Sequence, residues 1–402
     1  MALCEHFGTC GGCSYLDTPY EEELKMKAET VRELLLPFGG EYEGILPAPS
    51  PSAYRNKMEF AFGDEHKDGP LALGIRKRRN FYEVATPRNC ALIPGAFKEI
   101  LLTVLQYFRE AGEAFFHRRR HTGSLRHLVL RRGEFTGEIL VNLSTSSGLC
   151  VPLEPLIEKL SHLFPVGTGK TDEPLRGGER PGMVGFLHSV NDGVSDAVKP
   201  ENVKILYGRD FLYEKICGLT FKISAFSFFQ TNSAGAERLY EKINAFVRDT
   251  SLNQSNEFIY DLYCGTGTIS QIVSPHAKQV VGVELSEEAV LAARENASAI
   301  NKIANCEFIA GDALRVADEL SARAEKPGTI IVDPPRDGLH PKALPKIAGL
   351  GASRIIYVSC KPASLARDLA LLSGYGYAIK KSASVDMFPR TPNIETVCRI
   401  EK

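Results

Sequence analysis

From about residue 223 to its end the chain alternates helix-period and strand-period segments, and no other feature of the sequence restricts the fold so much. Helices are expected over 232–248, 269–273 and 287–300, and strands over 257–263, 279–285, 306–310, 328–332 and 354–359, with a closing strand over 395–400. Strands separated by helices build crossover units, so this part is expected to be a doubly wound, Rossmann-like α/β domain. The residues before it follow a different pattern. Thr18 as N-cap, Pro19 in the first turn and Glu21 as a capping-box acid predict a helix over 19–36. Strands over 57–63, 71–75, 125–131 and 138–144 alternate apolar and polar residues as a mainly antiparallel sheet would, with one helix over 97–111. The polar stretch 168–182 is expected to be a loop or hairpin tip. The predicted division is an α+β region over 1–222 and the α/β domain over 223–402. Two units agree with 402 residues, which exceed one ordinary hydrophobic core.

Charge is segregated along the chain although its net value is only −1. Residues 51–140 carry 16 Lys and Arg against 10 Asp and Glu, whereas residues 1–50 carry 3 against 9. The basic excess lies in Arg76-Lys77-Arg78-Arg79, in Arg118-Arg119-Arg120-His121 and between Arg126 and Arg132, interleaved with Phe81, Tyr82, Phe115, Phe116 and Leu128. Such a face suits phosphate contacts; any one run taken alone reads more readily as solvated surface, and three runs together narrow that margin. No run approaches the length of a membrane span, and the first residues lack the basic start and apolar stretch of a secretory signal, so a cytosolic protein is expected. In that reducing compartment clustered cysteines point to metal or catalysis, and scattered ones to packing.

The strand over 258–263 runs into Cys264-Gly265-Thr266-Gly267-Thr268 and then a helix, a turn whose glycines let a ligand approach the backbone. The following strand ends in Glu284, placed to accept from a ribose diol. Asp312, after the third strand, is placed to meet an adenine amino group. Each acid alone could simply cap the helix behind it. Together they predict one nucleoside crevice at the carboxyl ends of the strands. Two further strand ends carry Asp333-Pro334-Pro335-Arg336 and Ser359-Cys360-Lys361-Pro362. A helix start and the neighbouring Lys361 are expected to favour a Cys360 thiolate. Near the C-terminus two prolines, Pro389 and Pro392, fix the approach to Glu395.

These segments, together with Phe228-Phe229-Gln230-Thr231-Asn232 and Phe388-Pro389-x-Thr391-Pro392-x-x-Glu395-Thr396, resemble the RNA 5-methyluridine methyltransferase family, which uses S-adenosyl-L-methionine. The resemblance covers most of the chain. It implies that Gln230, Tyr263, Thr268, Glu284, Asp312 and Asp333 line the methyl-donor pocket beside Gly265 and Gly267, that Cys360 is the nucleophile, and that Glu395 is the general base. Carbon 5 of uracil is a poor nucleophile. A thiolate adding at carbon 6 makes it enolate-like, and after methylation a base must remove its hydrogen. The base must also leave its stack, which basic and aromatic contacts have to offset.

Within the same resemblance, Cys4, Cys10, Cys13 and Cys90 match the iron-sulfur branch, implying a [4Fe-4S] cluster, with zinc as the physical alternative for four thiolates. That branch makes a uridine in 23S ribosomal RNA the expected target, with transfer RNA as the alternative. No obligate protein partner is evident. Longer members begin with a small RNA-binding barrel for which Cys4 leaves no room, so RNA affinity is expected from the basic segment. Arg390 and Asn393 stand where many members carry histidines. Two readings compete: an amino-methyltransferase using Asp333-Pro334-Pro335, and a non-catalytic RNA-binding protein with the cluster as scaffold.

Overall fold

The computed structural model describes residues 4–80, 82–117, 119–166, 181–193, 202–249 and 257–402. The chain runs through α1 (Tyr20–Leu35), β1 (Glu41–Leu46), β2 (Lys57–Asp64), β3 (Leu71–Arg76), β4 (Val84–Ala85), α2 (Gly95–Glu110), β5 (Leu125–Arg132), β6 (Glu138–Thr145), α3 (Glu154–Leu163), β7 (Gly182–Val190) and β8 (Asn202–Gly208). A hairpin of β9 (Phe211–Ile216) and β10 (Leu219–Ser224) leads into α4 (Ser233–Arg248), β11 (Phe258–Leu262), α5 (Thr268–Val273), β12 (Gln279–Glu284), α6 (Glu287–Arg294) and β13 (Cys306–Ala310). The last third holds α7 (Ala313–Ser321), β14 (Thr329–Val332), α8 (Ala343–Gly349), β15 (Arg354–Ser359), α9 (Pro362–Ser373), β16 (Ala378–Val385) and β17 (Glu395–Glu401).

Among the described residues the strands form an eight-stranded sheet ordered β1-β16-β17-β15-β14-β11-β12-β13 and a seven-stranded sheet ordered β4-β3-β2-β5-β6-β7-β8. The central strands of the first are apolar on both faces because helices cover both. Alternate residues go to opposite cores. Ile259, Val280, Ile331 and Ile356 pack with Leu239, Ile243 and Phe246 of α4. Tyr260, Val281, Ile330 and Ile355 pack with Leu344, Ile347, Leu365 and Leu369 from α8 and α9. This sheet is mixed rather than wholly parallel as doubly wound strands would be, since β17 runs antiparallel to both β15 and β16. The second sheet is mainly antiparallel, as expected, with a parallel β6-β7 pair that the α3 crossover makes possible.

Two features of the first 46 residues differ from the sequence-based picture. Helix α1 begins at Tyr20 with Pro19 itself as N-cap, in extended conformation and with no side-chain cap, so the Thr18–Glu21 capping box does not form. Strand β1 pairs in parallel with β16, and Val31 and Leu35 of α1 pack in the core beside Ile379 and Tyr377. The start of the chain therefore completes the edge of the large sheet. Of the stretch expected to be a loop, 168–180 lies outside the described residues. No helix among the described residues is long and apolar enough to cross a membrane.

Candidate active site

The carboxyl ends of β11, β12, β13, β14 and β15 open into one cleft holding about 2570 Å³ of space free of protein atoms, part of it open to solvent. The part of it that water can occupy, about 960 Å³, lies at the upper end of the roughly 300–1,000 Å³ of a small-ligand site. Gln230, Tyr263, Gly265, Thr268, Glu284, Asp312, Asp333, Cys360 and Glu395 all line it.

The turn after β11 is built on left-handed backbone: Tyr263 has φ 68°, Gly265 φ 55° and Gly267 φ 73°. Nothing lies within 4 Å of the position a Cβ on Gly265 would take, which leaves space beside the backbone for a ligand. Gly267 is different. It does not line the cleft, and a Cβ there would sit 2.6 Å from the Phe308 ring and 3.0 Å from Ala293, so this glycine serves the packing of the turn. Gly267→Ala is expected to lower stability by about 2–3 kcal/mol through left-handed strain and the Phe308 clash, measured by denaturant unfolding. A loss below about 0.5 kcal/mol would contradict that account.

Glu284 spans the turn. Its Oε2 accepts from the Gly265 N–H at 3.1 Å and its Oε1 from the Ser286 N–H at 3.0 Å. The cap of α6 is Ser286 rather than Glu284. Asp312 does cap its helix, Oδ1 accepting from the Leu314 N–H at 2.7 Å, while also lining the cleft. Gln230 is held through its backbone, whose carbonyl accepts from Asn56 Nδ2 at 3.1 Å.

The reactive groups gather at the cleft wall. Glu395 is buried, and its carboxyl is held well above the usual range, first by burial and then by Asp333, with Arg336 opposing. Burial pushes Asp333 up to about 6. The Cys360 thiol is also raised, by burial and then by Glu395 and Asp333, and lowered by Arg336. This corrects the expectation of a thiolate favoured by Lys361 and the helix start. Lys361 is the exposed N-cap of α9, and the cation acting on the sulfur is Arg336 from the β14 end. Arg336 thus opposes the shifts of two of these groups, Cys360 and Glu395.

Tyr240 escaped the sequence reading. It is buried on α4, hydrogen-bonded with Gln230 and close enough to Asp333 and Glu395 for both to raise its phenol further. A tyrosine among Ala236, Leu239 and Ile243 on the apolar face of a helix was the available signal.

The N-terminal cysteines also converge. Cys4, Cys10, Cys13 and Cys90 are free and line one mostly apolar cavity with Phe7, Leu16, Ile75 and Pro87. Among the described residues no three His, Cys, Asp or Glu side chains form a group that could hold a metal ion. The basic segment divides. Arg126 and Arg131 are buried and donate to the carbonyls of Asn191 and Ser227, so they are internal ties rather than part of a charged face. Arg78, Arg79, Arg119, Arg120 and His121 are exposed, near a stacked Tyr82–His117 pair with centroids 4.8 Å apart. Arg118 and Phe81 lie outside the described residues.

Comparison with known proteins agrees with this geometry. The family described as tRNA (Uracil-5-)-methyltransferase matches residues 195–402. An uncharacterized RNA methyltransferase of Caldanaerobacter subterraneus subsp. tengcongensis is 44% identical over 99% of this chain and 84% of its own. One from Clostridium acetobutylicum is 43% identical over 99% and 83%. The crystal structure of Pyrococcus abyssi tRNA (uracil-54, C5)-methyltransferase in complex with S-adenosyl-L-homocysteine superposes with a TM-score of 0.75 at 26% identity, covering 98% of this chain and 86% of that one.

Proposed function

Because this chain belongs to the tRNA (uracil-5-)-methyltransferase family and is a methyltransferase, we propose that it moves a methyl group from S-adenosyl-L-methionine to carbon 5 of a uridine in RNA. The observation that carries the proposal is the meeting of Cys360, Glu395, Asp333 and Arg336 on the wall of a cleft whose other side is the Gly265–Glu284 turn. The open space at Gly265 and the acids at the strand ends suit the methyl donor, which supplies an electrophilic methyl group when bound. Its positive charge would also add to that of Arg336 beside Cys360 and Glu395. In this reading Gln230, Tyr263, Gly265, Thr268, Glu284, Asp312 and Asp333 hold the donor, and Gly267 shapes the turn beneath it.

Cys360 Sγ adds to uracil carbon 6, the ring electrons shift to carbon 5, and carbon 5 takes the methyl group. Glu395 then accepts the carbon 5 proton, the carbon–sulfur bond breaks and the double bond returns. RNA labelled with tritium at carbon 5 tests this directly: tritium leaves in step with methylation, and methyl incorporation without release would reject the scheme. Burial raises both the Cys360 thiol and the Glu395 carboxyl, which shifts each toward its protonated form in the empty site. Both working forms are deprotonated, so the single-turnover rate is expected to rise as pH rises through and above neutrality. A flat profile would contradict the assignment.

The proposal extends to a 23S ribosomal RNA target in the cytoplasm, with residues 1–222 supplying most RNA contacts and 223–402 the chemistry. Transfer RNA is the competing substrate, favoured by the activity named for the Pyrococcus abyssi enzyme. Methylation assays on the two purified RNAs decide between them. Cys4, Cys10, Cys13 and Cys90 are proposed to hold a [4Fe-4S] cluster with a structural role: the four free cysteines line one cavity, and the cluster would have to draw them closer than they stand among the described residues. Protein purified without oxygen is expected to be brown with broad visible absorption; a colourless protein with stoichiometric zinc would overturn this.

A further inference from the structure

Glu395 is delivered by the loop between β16 and β17, whose ends are fixed by the pairing of Val385 with Glu395. Most of what fixes this loop lies in the first 54 residues. Asp386 is fully buried, its Oδ1 accepting from Lys27 Nζ at 2.7 Å and its Oδ2 from the Tyr20 hydroxyl at 2.8 Å. Lys27 donates also to Glu23 Oε1 at 2.7 Å and to the Phe388 carbonyl at 3.3 Å. The Tyr54 hydroxyl donates to the Pro389 carbonyl at 2.9 Å. Two buried acids and two cations, Lys27 and Arg390, balance one another, so no member can leave without stranding a charge.

Arg390 is the joint. Its backbone is left-handed, with φ 69°. Its N–H donates to Glu23 Oε1 at 2.7 Å, and its guanidinium to the Thr18 carbonyl at 2.8 Å. Its own carbonyl accepts from the N–H groups of Ser14 and Tyr15 at 2.8 and 3.2 Å, directly after Cys13. The cation that acts on Glu395 is Arg336, so Arg390 works through the backbone and not by contact with the base.

We infer that Arg390 is a positioning residue that ties the cysteine-bearing segment 10–15 to the direction of Glu395, so that loosening the tie slows proton removal while methyl-donor binding is kept. The inference rests on the role proposed for Glu395. A base displaced by about 1 Å loses up to about 100-fold in rate. The covalent enzyme–RNA intermediate then persists because its carbon 5 hydrogen stays in place.

The test uses the full chain with three separate substitutions. Arg390→Gly tolerates the left-handed backbone but removes the guanidinium; Glu23→Gln removes the charge; Ser14→Pro deletes the N–H that grips Arg390. Each is read by the amount of covalent adduct on denaturing gels, by tritium release relative to methyl transfer, and by S-adenosyl-L-homocysteine affinity. The expected result is an adduct increase of about tenfold or more, release lagging behind transfer, and affinity within about twofold of the parent protein. Unchanged adduct lifetime in all three, or affinity lost together with adduct, would overturn the inference by showing no coupling or a purely structural role. A parent protein that transfers methyl without releasing tritium would instead sink the proposed chemistry, whatever the variants do.

Discussion

Cys360→Ser is expected to lower turnover by about four orders of magnitude or more, because a hydroxyl is far harder to ionise than a thiol and the ring cannot become nucleophilic without the sulfur adduct. The site around it argues that the loss will be confined to chemistry. Glu284, Asp333 and the Gly265 turn are untouched, so calorimetric affinity for S-adenosyl-L-homocysteine should stay within about threefold. No adduct should appear on denaturing gels under any condition. Turnover within tenfold of the parent enzyme would remove the sulfur from the mechanism and leave the amino-methyltransferase reading of Asp333-Pro334-Pro335 in its place.

Glu395→Gln has a different signature. Addition at carbon 6 and methyl transfer should still occur, because neither needs the carboxylate. The carbon 5 proton then stays, and the protein should accumulate on RNA as a stable methylated adduct while turnover falls by about 10²–10⁴-fold. The amide keeps the shape and removes a buried acid whose carboxyl is already held well above its usual range. Folding is therefore expected to survive, and thermal unfolding of the variant checks it. If the variant releases methylated RNA at the parental rate, another group accepts the proton, and Asp333 is the neighbouring carboxyl to examine.

The parts of the site legible in sequence are those written locally. A strand, two spaced glycines and an acid at the next strand end placed Gly265, Glu284 and Asp312 in one crevice, because strand ends in a wound sheet point to the same side. The electrostatics were not legible. Arg336 acts on Cys360 from another strand end, so the neighbour in sequence, Lys361, was the wrong cation. Charge was also misleading for Arg126 and Arg131, which look like solvated basic surface and are buried ties to loop carbonyls. The eight-stranded sheet was read from β13 to β15 and at β17, and missed at one margin, where neither Glu41–Leu46 nor its partner Ala378–Val385 was expected to be a strand.

That edge has a consequence for how the protein is made. Tyr42 donates to Ser384 across 342 positions, so β1 finds its partner only after the long stretch between them has been made. Until then β1 is an open edge with unpaired backbone groups. The margin of the large sheet therefore closes late in folding, and a chain lacking β16 would keep it unclosed, a ready target for quality control.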